Sequence, residues 1–198
     1  MIINADHSQR ALVDPAQLPW MDSPLPGVAR RMLERNGAEA ARATSIVRYQ
    51  PGAGFDAHTH PQGEEILVLE GIFEDEYGVY PAGTYLKNPP GSAHRPFSRS
   101  GCTLFVKLRY MQPGDTQRVV IHTHEAQWLP GLVEGLQVLP LSEFGGEEIL
   151  VLEGVFQDEF GDYGPGMWLR SPHLSMHQPF SEPGCIILVK VGHLDVAT

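Results

Sequence analysis

The second half of this chain repeats the first. Residues 64–107 align without a gap on residues 147–190 at a constant offset of 83, and 25 of the 44 paired positions are identical. The first copy opens EEILVLEGIFEDEYG and the second EEILVLEGVFQDEFG. Further on, GTYLKNPPGSAHRPFS faces GMWLRSPHLSMHQPFS, and both copies then read GC. Identity of that density at one period means that both copies fold into one kind of unit. A fainter echo lies upstream, where Leu18-Pro19-Trp20 through Gly27 mirrors Gln127-Trp128-Leu129-Pro130. Between this echo and its Glu-Glu pair the second copy is shorter, and the stretch corresponding to PGAGFDAHTH is missing. Two small domains are expected in the 198 residues, 1–112 and 113–198, with the linker near Met111–Gln117 (MQPGDTQ).

Each copy reads as strand and turn. Glu65–Leu69 is apolar on both faces, as in a strand packed between two layers, and Gly71, Gly78 and Gly83 close short segments. The 21 Gly and 17 Pro supply turns for an all-β fold of the jelly-roll kind. The best helix signal is Gly27–Arg42 (GVARRMLERNGAEAAR), interrupted by the turn-like pair Asn36-Gly37.

Only the first copy carries a complete set of metal ligands. His58 and His60, two apart, point to one face of a strand. Pro61-Gln62-Gly63 lets the chain reverse, so that Glu64 enters the same space from a neighbouring strand. His94, after Pro89-Pro90-Gly91, enters from a third strand. Three imidazoles and a carboxylate suit one divalent ion, with zinc or iron foremost and manganese, nickel or copper accepted. Four protein ligands leave up to two positions open on an octahedral ion, enough for water, oxygen or a bidentate small molecule.

These stretches, G52-x5-H58-x-H60-x3-E64-x6-G71 and G83-x5-P89-x-G91-x2-H94, resemble the two cupin motifs at every glycine, ligand and spacing; Ser98 stands where the second motif usually ends in Asn. More narrowly, H-x-H-x-x-GEE-I-L-V-L-E-G-x-F-x-D-E-x-G resembles the cupin-like domain of ChrR-type anti-sigma factors, and the likeness covers roughly residues 15–195 as a tandem pair. It implies two tandem RmlC-like jelly-roll barrels, the second degenerate, with the metal at His58, His60, Glu64 and His94. The zinc-binding helical domain with which those anti-sigma factors hold their sigma factor has no counterpart here, since His7 has no CxxC after it. The sigma-binding activity is therefore not carried over.

The second copy keeps Glu147 and His177 but lacks the His pair, and Pro172-x-Leu174 replaces Pro-x-Gly. Two ligands are too few unless Glu143, Glu148 or His173 joins them, so this barrel is expected to pack against the first or against another subunit. His122-Thr-His124 falls outside any such frame and is read as a chance pair. Glu65 and Glu148 are expected to face out or to make supporting hydrogen bonds. Asp75-Glu76 and Asp158-Glu159 are read as solvated turn residues, Cys102 and Cys185 as free buried thiols, and Tyr85, Phe73 and Phe97 as core aromatics. Arg95 and Lys87 are the basic residues nearest the expected site; they are read as solvated side chains, with a hold on a substrate carboxylate by one of them as the alternative.

Residues 1–118 hold 12 Lys/Arg and 13 Asp/Glu, whereas residues 119–198 hold 2 and 11. That acidic half argues against nucleic acid and against anionic membranes as partners. The N-terminal MIINADHSQR lacks the pattern of a signal peptide, and no apolar run approaches the ~20 residues of a membrane span, so a cytoplasmic protein is expected. Three roles fit. The first is a metal-dependent dioxygenase acting on a small diketone or hydroxyketone. The second is a ChrR-like sensor or regulatory module without the sigma-binding domain, and the third a structural ion. A small-molecule ligand and a homodimer are the expected partners.

Overall fold

The computed structural model describes residues 1–111, 114–130, 137–139, 141, 147–172 and 175–190. It is built of strands; its one helical element among the described residues is a 3-10 turn at Pro15–Gln17. The helix signal at Gly27–Arg42 is overridden. That stretch forms the strand Val28–Asn36, a turn through Gly37, and the start of the strand Arg42–Tyr49. Its Arg, Leu, Glu and Ala favour helix only weakly, whereas Asn36-Gly37 is a strong hairpin signal and Met32–Arg35 are buried by tertiary packing. No helix among the described residues is long and apolar enough to cross a membrane.

The chain divides into two compact units. One comprises Trp20–Met32 and Gly37–Glu143; the other comprises Met1–Pro19, Leu33–Asn36 and Phe144–Thr198. The units are not contiguous, unlike the expected division at 112/113, and strand pairing explains why. In the first, the sheet runs Arg42–Tyr49, Cys102–Leu108, Glu64–Asp75, Thr84–Asn88, Val119–His122. Its last strand, which pairs Val119 with Lys87 and His122 with Thr84, follows the first repeat in sequence. In the second, the sheet runs Cys185–Lys190, Glu147–Gly154, Trp168–Ser171, Ala11–Val13, and the last strand precedes the first repeat. Residues 11–13 and 119–121 occupy equivalent places at an offset of 108. So do the hairpin pairings Met21–Arg30 and Leu129–Val138. Each copy's leading strand thus completes the sheet of the other copy. The fall in offset from 108 to 83 places a 25-residue deletion between Val138 and Glu147.

Polar groups latch each exchanged arm. Lys87, buried, donates from Nζ to both oxygens of Asp115 at 2.8 and 2.9 Å. Its counterpart Arg170, fully buried, donates to the carbonyls of Asn4, Asp6 and Gln9 and to Glu34.

The first barrel's interior is Val28, Tyr49, Ile66, Val68, Phe73, Leu86, Leu104 and Val106. Along Cys102–Leu108 the even-numbered residues point inward, as strand periodicity requires. The pairing with Glu64–Asp75 slips between Leu104↔Val68 and Thr103↔Glu70, so Leu69 is an extra residue. This bulge changes the parity of the strand: Glu64, Ile66 and Val68 face inward before it, and Phe73 and Asp75 after it. Gly71, at φ +73°, lies within the irregularity, where a Cβ would run into the Gly101 carbonyl; Gly154 meets Gly184 in the same way.

The second unit packs Ile149, Val151, Phe156, Tyr163 and Leu169. Cys185–Lys190 ends its sheet, where the first barrel continues into Arg42–Tyr49. Among the described residues no strand follows Cys185–Lys190 in this sheet, and Val189 is 39% exposed where its counterpart Val106 is 8% exposed. The two thiols are free; Cys102 is buried and its pKa is pushed up to about 11 by that burial, while Cys185 is only half-buried.

Candidate metal centre

The strand His58–His60 pairs antiparallel with Ser92–His94, which sets His94 opposite His58 in register. The Pro89-Pro90-Gly91 turn precedes the second of these strands, and Gly91, at φ +84°, donates its N–H to the His60 carbonyl at 2.8 Å. After His60 the chain reverses through Gly63, at φ +73°, and Glu64 begins the next strand on the same inward face as Ile66 and Val68.

The four sequence-derived residues therefore come together. The donor atoms of His58, His60 and His94 lie within 4.8 Å of one another. Their ring centroids stand 4.8–5.4 Å apart. Glu64 Oε2 is 3.4 Å from His60 Nε2 and 3.3 Å from His94 Nε2. His60, Glu64 and His94 are buried, whereas His58 is half-exposed and forms the open side of the cluster. Phe55 packs beside His58 and Phe73 behind His94, giving two apolar walls.

Two observations suit this donor set to a metal ion. Neither His60 Nε2 nor His94 Nε2 makes a hydrogen bond of acceptable geometry although both are buried, and buried polar nitrogens are seldom left without a partner. In addition, the far nitrogens of two rings are already committed. His58 Nδ1 bonds to the Asp56 carbonyl at 2.9 Å, and His94 Nδ1 lies 3.2 Å from Asp75 Oδ2. A backbone carbonyl or carboxylate on one imidazole nitrogen leaves the other free to bind.

Electrostatics follow from burial and from the neighbours. Burial draws the His60 pKa down against the pull of Glu64, favouring the neutral, ligand-competent ring. For His94 burial also lowers the pKa, but Asp75 and Glu64 outweigh it and raise it to about 9. Burial would raise the Glu64 pKa, yet His94, His60 and Asn88 hold it below the usual carboxylate range. Without an ion, a proton on His94 supplies positive charge between the two carboxylates, and an ion taking its place would release that proton.

Other sequence-derived candidates fall elsewhere. Lys87 points to the sheet face opposite Glu64 and is engaged by Asp115, so it cannot reach the centre. Arg95, exposed, lines a cleft of 440 Å³ with Leu25, Phe55, Asp56 and Phe97. Glu65 faces away from the site but is not solvated: it is buried and accepts from the Tyr85 hydroxyl at 2.8 Å. Phe73 and Tyr85 are buried and Phe97 is half-buried. His122 contacts Thr84 Oγ1 at 3.0 Å, and both His122 and His124 are exposed, far from any ligand cluster among the described residues. His122→Ala is expected to leave metal content unchanged, checked by elemental analysis beside the wild type.

Asp75 and Asp158 are corrected from solvated turn residues to buried ones, each 6% exposed. Asn88, which donates to Glu64 Oε2 at 3.2 Å, was also missed. Its alternation with Leu86 along one strand face was the signal available for it. In the second unit His177 Nδ1 lies 3.4 Å from Asp158 Oδ2. The side chain of Glu147, together with Glu143 and His173, lies outside the described residues, and Glu148 is buried.

No curated protein matches the chain. Several solved structures share the fold. A protein of Nostoc punctiforme described as a candidate dioxygenase superposes with a TM-score of 0.75 at 13% identity, over 96% of this chain and 86% of that one. YlbA of Escherichia coli gives 0.69 at 17% identity, over 99% and 96%. The E. coli pirin YhhW, in complex with nickel(II), gives 0.63 at 15% identity, over 91% and 97%. The family model for the ChrR cupin-like domain matches residues 8–112 and 142–195, both copies of the repeat. With the cupin fold in place and most of its length matched, the chain belongs to the family of ChrR cupin-like domains.

Proposed function

We propose that the first barrel holds one divalent metal ion through His58, His60, Glu64 and His94, and that the chain is a metal-dependent dioxygenase acting on a small β-diketone or hydroxyketone. The observation that carries the reading is the convergence of three imidazoles and Glu64 on one space, with two buried ring nitrogens that lie 3.3–3.4 Å from Glu64 but make no hydrogen bond of good geometry. Bound there, the ion would supply Lewis acidity and a template for chelating oxygens, and iron(II) would add reactivity toward O₂. The protein's own part is positional. Glu64, held anionic, serves as a ligand rather than a base. His58 is the exposed edge at which a small molecule enters, and Phe55 and Phe73 offer apolar surface around it. Structural zinc sites are closed and usually rich in Cys, and neither feature describes this set.

The test is oxygen consumption by iron(II)-reconstituted protein given acetylacetone or hydroxyacetone. Uptake that requires the protein and disappears in Glu64→Ala supports the oxygenase. Iron-loaded protein that consumes no oxygen with any diketone or hydroxyketone sinks it. The family match favours one second reading, a metal-bearing regulatory module whose state alters contacts with a partner protein. That reading expects zinc in the purified protein and no turnover.

A further inference from the structure

The residues that hold His94 recur, contact for contact, in the barrel that lacks the His pair. His94 Nδ1 lies 3.2 Å from Asp75 Oδ2, and His177 Nδ1 lies 3.4 Å from Asp158 Oδ2. The Tyr80 hydroxyl donates to Asp75 Oδ1 at 2.8 Å, and the Tyr163 hydroxyl to Asp158 Oδ1 at 2.8 Å. Arg118 Nη2 donates to the Tyr80 hydroxyl at 2.7 Å, and Arg10 Nη2 to the Tyr163 hydroxyl at 2.6 Å. Both arginines lie at the root of the exchanged strands, at the 108-residue offset. The Asp75 carboxylate also caps the turn, accepting from the N–H groups of Tyr77 and Gly78 at 2.8 and 3.0 Å. It is thus fixed by at least three donors before His94 is counted.

The two networks differ in two places: Arg10 Nη2 also donates directly to Asp158 Oδ2 at 3.0 Å, where Arg118 Nη2 stands 3.8 Å from Asp75 Oδ2, and the first barrel has a further branch. In the first barrel Arg118 Nε also donates to Asn88 Oδ1 at 3.4 Å, and Asn88 Nδ2 donates to Glu64 Oε2 at 3.2 Å. The counterpart of Asn88 is Ser171, too short to repeat that bridge. Arg118 therefore reaches two members of the ligand set, His94 through Tyr80 and Asp75, and Glu64 through Asn88. The second barrel retains only the branch that ends on its histidine.

We propose that Asp75, braced by Tyr80 and by Arg118 from the exchanged segment, is the positioning residue that turns His94 Nε2 toward Glu64 and so sets the metal affinity of the first barrel. A carboxylate on the outer nitrogen of a ligating imidazole fixes its tautomer and ring angle, and losing such a partner weakens metal binding by about 10–100-fold. The inference rests on the reading that this cluster binds metal. The second barrel supplies a control within the same chain, because Asp158 takes the same tyrosine, turn-amide and histidine contacts, with a direct Arg10 bond besides, and no complete ligand set stands around it among the described residues.

The test is cobalt(II) titration of the metal-stripped full chain against a competing chelator, with thermal unfolding measured alongside. Asp75→Asn is expected to weaken cobalt binding by about 10–100-fold, and Arg118→Gln by several-fold. Asp158→Asn and Arg10→Gln should bind cobalt as the wild type does. A loss of thermal stability shared by Asp75→Asn and Asp158→Asn measures the structural part of the network and leaves the affinity difference to positioning. Should Asp75→Asn fail to fold, Arg118→Gln and Tyr80→Phe carry the test. Wild-type affinity in the first-barrel variants, or equal weakening in the second-barrel variants, overturns the inference. His94→Ala separates the two levels: if it binds cobalt as tightly as the wild type, the metal reading itself has failed.

Discussion

In the His94→Ala chain, affinity for a divalent ion is expected to fall by more than about 100-fold, beyond the 10–100-fold that loss of a supporting residue causes. His94 is 3% exposed, and its Nε2 faces Glu64 Oε2 at 3.3 Å, so the substitution removes a nitrogen donor from the enclosed side of the cluster. The substitution also strands two carboxylates. Glu64 keeps only His60 and Asn88, and Asp75 keeps Tyr80, Arg118 and the turn amides. His58→Ala is expected to lower affinity as strongly but to cost less stability, because His58 is half-exposed and its removal leaves no buried charge unpaired. Chelator competition gives the affinities and urea unfolding the stabilities. Wild-type metal affinity in both variants would contradict the assignment of the site.

The second large effect concerns the other unit. Arg170→Met is expected to destabilise it by about 3–5 kcal/mol, the usual cost of removing one partner from a buried ion pair. Arg170 is 1% exposed and donates to Glu34 Oε2 at 2.9 Å, and Glu34 is fully buried. His7 Nε2, 3.0 Å from Glu34 Oε1, stays beside the carboxylate and offsets only part of the loss. The same guanidinium holds the carbonyls of Asn4, Asp6 and Gln9, so the N-terminal arm should lose amide protection as well. The double variant Glu34→Met/Arg170→Met should recover most of the stability, because it removes the buried carboxylate together with its guanidinium counter-charge. Urea unfolding checks both; a single variant within about 1 kcal/mol of the wild type would show that the pair carries little.

The repeat made the architecture legible. Forty-four aligned positions indicated two like units, and the glycine and ligand spacing indicated that His58, His60, Glu64 and His94 share one space. What stayed hidden has identifiable causes. Strand exchange could not be read because residues 11–13 and 119–121 share almost no identity, and their partners are set by pairing across distant sequence. Asp75 was read as a solvated turn residue because, with Glu76, it sits before a glycine, and strand alternation counted from Glu64 would likewise put it on the outer face. The extra residue Leu69 reverses that parity, and a bulge leaves only a glycine as its mark in sequence. Gly27–Arg42 was read as helix because local propensity there is helical, and the sheet that claims it is a tertiary fact. For Lys87 and Glu65 it was the burial that could not be read, although Glu65 does face away from the site and takes a hydrogen bond. The outer face of this sheet is itself buried, so period-two alternation did not separate core from solvent.

The most direct measurement is metal content per chain in protein purified without oxygen, with the His58→Ala variant prepared in parallel. The account predicts close to one divalent ion per wild-type chain and almost none in the variant. A wild-type chain that holds no ion even after incubation with iron(II) or zinc, or a variant that holds as much as the wild type, would contradict it.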